Sequence, residues 1–129
     1  MALVLPIFFT VVLGIVEFGR AMMVGQLVTN AAREGARLAV IDGNTNADVE
    51  ARINSFLTNA LNVAEEDITI GIDIEPSNPL DPYVADVVDA NSKDLILIQV
   101  SVPFSSVNYV PGNYLADKNL IGLSAMRHE

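Results

Sequence analysis

With 129 residues the chain has room for one compact domain and an extension, because two separate cores would each be too small to bury enough surface. Residues 42–129 carry 14 acidic and four basic side chains, a balance that repels phosphate backbones and excludes nucleic acid as a partner. The lack of cysteine removes disulfides, thiol catalysis and thiolate metal sites, and the single histidine, His128, is read as an exposed tail residue.

Residues 1–16 hold no charge, and only Pro6, Thr10 and Gly14 interrupt side chains of membrane-grade hydropathy. That run is slightly short of the ~20 residues a bilayer-crossing helix needs. After Glu17 and Arg20, residues 21–32 are again uncharged, and no breaker appears before Asp42-Gly43-Asn44. The economical reading is one helix over residues 1–41, roughly 60 Å long and about twice the thickness of a hydrocarbon core. Pro6 falls in its first turns, where a missing N–H costs least. No basic region precedes the run and the helical pattern continues well past it, so the segment is expected to be retained and not cleaved as a signal peptide.

Glu17 and Arg20 are spaced i, i+3 and are expected to pair, either at the membrane boundary or inside a packed interior. Small residues recur along the same helix: Gly14, then Ala21 and Gly25 four apart, Ala32 and Ala36 four apart, and Gly35 between Ala31 and Ala39. Such spacing lets helix backbones approach closely where lipid supplies no hydrophobic drive, and glycine has no helical propensity of its own to explain its presence. Glu17, Arg20, Gly14, Ala21, Gly25, Ala32, Gly35 and Ala36 are therefore the candidate helix-packing residues.

Residues 42–46 end the long helix and prepare the next, since Gly43 tolerates left-handed geometry and Thr45 or Asn46 can accept an amide hydrogen bond. Val49, Ile53, Phe56, Leu57, Ala60 and Leu61 then repeat at helical spacing, predicting a second helix over residues 47–62. At residues 67–75 the period changes to two, with Ile68, Ile70, Ile72 and Ile74 on one face. Residues 94–102 alternate likewise through Ile96, Ile98, Val100 and Val102, and residues 119–126 offer a third strand. The predicted fold is α+β: a long N-terminal helix and a second helix packed on a three- to four-stranded antiparallel sheet. Residues 1–41 form the membrane or filament-core helix and residues 42–129 a small acidic head outside the membrane.

Between the first two strands, Pro76, Pro79 and Pro82 with several acidic residues mark a long exposed loop, with a short element near residues 83–88. Residues 103–118 make a second loop containing Tyr109, Pro111-Gly112-Asn113 and Tyr114. Asp81, Asp86, Asp89, Asn91 and Asp94 are oxygen donors that calcium uses, but their spacing departs from the calcium-loop pattern and reads as a solvated acidic loop. No hydrolase motif or phosphate-cradling glycine loop is present, so no catalytic, cofactor or metal residues are assigned and the chain is not read as an enzyme.

Four strings carry a family resemblance: Ala2-Leu-Val-Leu-Pro6, Glu17-Phe-Gly-Arg-Ala21, Asn30-Ala-Ala-Arg-Glu-Gly-Ala-Arg37 and Ser124-Ala-Met-Arg-His-Glu129. Together they resemble the TadE-like proteins of tight-adherence (Tad) pilus systems, most specifically over the long helix. The resemblance implies a pilin-like stalk and head, resident in the inner membrane before assembly and in a cell-surface filament afterwards. Its implied partners are further copies of itself and other pilus-assembly proteins, with a role in adhesion or surface attachment. A minor pseudopilin, or a membrane-anchored assembly or binding component, is the alternative role. Family precursors carry a short basic leader, a Gly at the peptidase site and a Glu before the Ala-Leu-Val-Leu-Pro string. None of the three is seen here, which implies a processed or truncated form or a start further upstream. Leu5 stands where pilins place their N-terminal Glu, and Glu17, partnered by Arg20 of the same or an adjacent subunit, is expected to take over part of that role.

Overall fold

The structure, a computed structural model, describes residues 2–107 and 117–129. Helix α1 runs Val4–Ala39 without a break, 36 residues, or about 54 Å. It ends where Val40 and Ile41 donate back to Ala36 and Leu38 and the chain turns through Gly43 at φ +89°. Asn44 closes the turn by donating its side-chain amide to the Leu38 and Ile41 carbonyls.

Helix α2, Asn46–Leu61, starts from Thr45, whose hydroxyl accepts from the Asp48 amide while the Asp48 carboxylate accepts from the Thr45 amide. These two reciprocal bonds satisfy amides at a helix start that would otherwise lack partners. Bonds donated to it by the Thr45 amide, the larger cause, and by the Thr45 hydroxyl hold the exposed Asp48 carboxyl below its ordinary range. Asn62, left-handed at φ 54°, terminates the helix.

The sheet is an antiparallel meander of β1 (Thr69–Glu75), β2 (Leu95–Pro103) and β3 (Asn119–Arg127) in the order β1-β2-β3. β2 is central and carries the densest apolar face: Ile96, Ile98, Val100 and Val102 are fully buried. Both helices cover that face, α1 lying along β3 and β2 and α2 beside it. α1 runs in the same direction as β3. Gly122 sits under the α1 backbone at Val28 and Thr29, and His128, just past the strand end, meets Asp42, just past the helix end.

The core does not stop at the end of α1. Val24, Val28, Ala31, Ala32, Ala36 and Ala39 share one cluster with Ile53, Leu57, Ile74 and the β2 residues. The packed half of the long helix is thus a structural member of the head.

Of the two predicted loops, the first includes a 3-10 turn at Val87–Asp89, and the second opens with another at Phe104–Ser106. Tyr109, Pro111-Gly112-Asn113 and Tyr114 lie outside the described residues. His128 departs from expectation: it is 6 % exposed. The reason is backbone pairing beyond β3, because the His128 amide donates to the Asp94 carbonyl and the Lys93 amide donates to the His128 carbonyl. These two bonds zip the C-terminal residues onto the start of β2.

Candidate assembly surface

Geometry divides the predicted helix-packing residues into three groups. Ala32, Gly35 and Ala36 are buried inside the chain's own core. Gly35 is needed there, because a methyl group at that position would lie 2.5 Å from Ile53 Cδ1. The close helix approach that the small residues imply is therefore met, over this stretch, by α2 of the same chain.

Gly14 and Gly25 are different. A methyl group on either would meet nothing within 4 Å. Gly14 is exposed and Gly25 half-exposed, so both lie where a second body can approach α1. Ala21, half-buried, packs at the edge of the core.

Glu17 and Arg20 form the third group, at the level where the head begins. Glu17 lies seven residues before Val24 and fourteen before Ala31, on the stripe of α1 that faces the head, and it is 5 % exposed. Among the described residues its Oε1 has no hydrogen-bond partner. Arg20, half-buried, reaches across to the head, its Nε donating to the Val107 carbonyl. Among the described residues the ion pairs are Arg52–Glu34 and His128–Asp42. Glu17 and Arg20 are thus both turned toward the head.

From residue 2 to residue 16 every position of α1 is exposed. Twelve large apolar side chains between Leu3 and Phe18 point outward on all sides, Leu3 at 81 % and Ile15 at 67 % exposure. Covering them is worth on the order of 10–20 kcal/mol. Polar groups on this stretch are already satisfied, since the Thr10 hydroxyl donates to the Pro6 carbonyl at 2.8 Å. The helix is long and apolar enough to cross a membrane.

The acidic loop between β1 and β2 is held by Asp94. This fully buried carboxylate accepts from the Ser77 amide at 2.9 Å and the Asn91 amide at 2.8 Å. The Ser77 bond is the main reason its carboxyl titrates below the ordinary range, with the Asn91 bond and nearby His128 acting the same way against the cost of burial. Asp86 accepts from the Asn46 and Val88 amides, tying the loop to the start of α2. Tyr83 donates to Asp73 at 3.3 Å, and the charge of Asp73 pushes the phenol's pKa upward. Among the described residues no group of three or more His, Cys, Asp or Glu side chains is arranged to hold a metal.

Gly122 escaped notice in the sequence. A side chain there would strike the α1 backbone, 2.6 Å from the carbonyl carbon and oxygen of Val28. A glycine on the inward face of a predicted strand is the available signal for such a close approach.

No curated protein and no solved structure matches the chain. A family model does match residues 1–37, which take in nearly all of α1 from its start through Arg37. That model describes TadE-like proteins, so over residues 1–37 the chain is similar to the TadE-like family.

Proposed function

We propose that the chain is a filament subunit whose first helix rests in the membrane and then packs against copies of itself, leaving the acidic head outside. One observation carries this reading: the projecting part of α1 is apolar on every side and covered by nothing in its own chain. A soluble monomer would leave that surface in water, whereas lipid before assembly and neighbouring helices afterwards both remove it. The projecting residues 4–16 of α1 span about 20 Å, most of the ~30 Å hydrocarbon thickness. Gly14 and Gly25 are the positions open to close approach by a second subunit, while Glu17 and Arg20 set the level at which the projecting segment meets the head. In this reading residues 1–41 form the stalk element and residues 42–129 the head, with the C-terminal half of the stalk built into the head's core.

Electron microscopy of cells expressing the chain is expected to show thin surface filaments containing it. Gly14→Leu and Gly25→Leu are expected to reduce filaments while the head keeps its thermal transition in detergent. Normal filaments from both variants would remove helix packing from the model. A chain absent from isolated filaments and monomeric after solubilisation points instead to a minor assembly component or a membrane-anchored binding module.

A further inference from the structure

Where α1 crosses the edge of the sheet, Met22, Gly25, Thr29, Arg33 and Ile121 line an open groove of about 560 Å³. Its lining is mixed: Gln26 and Asn30 are polar, whereas Gly25 presents only backbone and the Thr29 hydroxyl is already donated to the Gly25 carbonyl at 2.9 Å. Ile121 is 57 % exposed beside it and Met22 55 %. Arg33 stands on the rim, exposed, with no hydrogen bond or ion pair among the described residues.

The other end of the head carries a complementary shape. In the first loop, Leu80 is 91 % exposed. It is nonetheless held firmly: the Leu80 amide donates to Asn78 Oδ1, the Asp81 amide donates to the Asn78 carbonyl, and Pro79 and Pro82 stiffen both sides. The turn therefore presents a single large apolar side chain to solvent in a fixed position. Asp81 follows directly, its Oδ2 without a described hydrogen bond, in a chain whose net charge is -9.

Groove and tip lie at opposite ends of the head. The loop is rooted at Asp94, whose carbonyl meets His128, while the groove lies beside Gly122 under Val28. Six strand residues, or fourteen helical ones, separate the two levels, and both routes give about 20 Å along α1. Tip and groove are therefore too far apart to meet in one copy, and a contact between them joins two.

We propose that Leu80 of one copy seats in the groove of the next, over Gly25 and between Met22 and Ile121, with Asp81 facing Arg33. The contact joins unlike surfaces, so it repeats without closing and generates an open filament. It rests on the polymer reading above and adds a head-to-head register to the packing of the projecting helices.

The cysteine-free chain permits a direct test. Leu80→Cys combined with Ile121→Cys, oxidised on cells, is expected to give a ladder of covalent multimers, whereas either substitution alone gives none. Dimers from Leu80→Cys alone would mean tips meeting tips and overturn the proposal, as would filaments of the double variant that yield no ladder. Arg33→Asp is expected to cut filament yield about tenfold, and adding Asp81→Arg to recover it. A missing loss or a missing recovery overturns the charge pairing. Absence of filaments from the unsubstituted chain defeats the polymer reading itself and is seen separately, in the first micrograph.

Discussion

Residues 4–16 and residues 24–39 belong to one continuous helix, yet every position of the first stretch is exposed and the second is among the most buried parts of the molecule. The halves differ in the size of their side chains more than in their hydrophobicity. The projecting half carries Leu, Ile, Val and Phe on every side, a pattern suited to lipid or to several neighbours at once. In the packed half the inward stripe is Val24, Val28, Ala31, Ala32, Gly35, Ala36 and Ala39, small residues that bring the helix backbone close to strand and helix. Small residues on this helix therefore differ by position. Gly14 and Gly25 have open space around them, and those from Ala31 to Ala39 bring the helix onto α2 and the sheet.

The hardest blow to the packed half is expected from Gly122→Val. The methyl groups would point at the Val28 backbone, which unlike a side chain cannot rotate away, so α1 must lift from β3. Loss of about 3 kcal/mol or more is expected, read as a lowered thermal transition and faster hydrogen exchange in β3. An unchanged transition would mean that α1 and β3 are not in backbone contact. The same substitution at Gly14 should leave the head's transition where it is.

Next comes Asp94→Ala, which strips the partner from two buried amides and is expected to cost about 2–3 kcal/mol. The folded carboxyl binds its proton less readily than the unfolded one, so its stabilisation is complete above the ordinary aspartate range near pH 4 and is lost as pH falls through the lower folded value. Acid should release the loop of residues 76–94 before the rest of the head. Asp94→Ala should remove that step, and an acid profile identical to that of the unsubstituted chain would show that Asp94 does not hold the loop.

Gly35→Ala should cost less, about 1–2 kcal/mol, because the clash falls on the tip of Ile53 and a rotamer change absorbs part of it. Pairing it with Ile53→Val makes room for the methyl group. Recovery in the double variant, measured as a coupling energy in a thermal cycle, would identify α2 as the partner that Gly35 serves.

Much of this was legible because periodicity reports burial directly. The alternation of Ile96, Ile98, Val100 and Val102 marks β2, and Thr45 or Asn46 marks the start of α2, where Thr45 is the cap. Spacing alone could not say which body meets Ala32, Gly35 and Ala36, since the i, i+4 pattern that serves a neighbouring copy serves α2 equally well. His128 was opaque for another reason: its burial comes from backbone pairing with residues 93 and 94, 34 or more positions earlier in the chain, which leaves no mark in side-chain pattern. Glu17 was readable as the first charge in an apolar helix, but its orientation toward the head follows from how α1 crosses the sheet.

The smallest effect separates the two halves most cleanly. Gly14→Ala adds a methyl group to an exposed helical position with nothing within 4 Å, so it meets no clash and removes glycine's conformational cost. A gain of about 0.5–1 kcal/mol in local helix stability is expected, seen as slower hydrogen exchange around residue 14 in detergent, with the head unaffected. In filaments the sign depends on what occupies that open space. If a neighbouring helix packs against Gly14 at backbone distance, alanine should be tolerated with slightly fewer filaments and leucine should abolish them, a graded loss with side-chain size. If only lipid or solvent faces Gly14, alanine and leucine should both assemble as the unsubstituted chain does, and the close-packed face must then lie elsewhere on the projecting half.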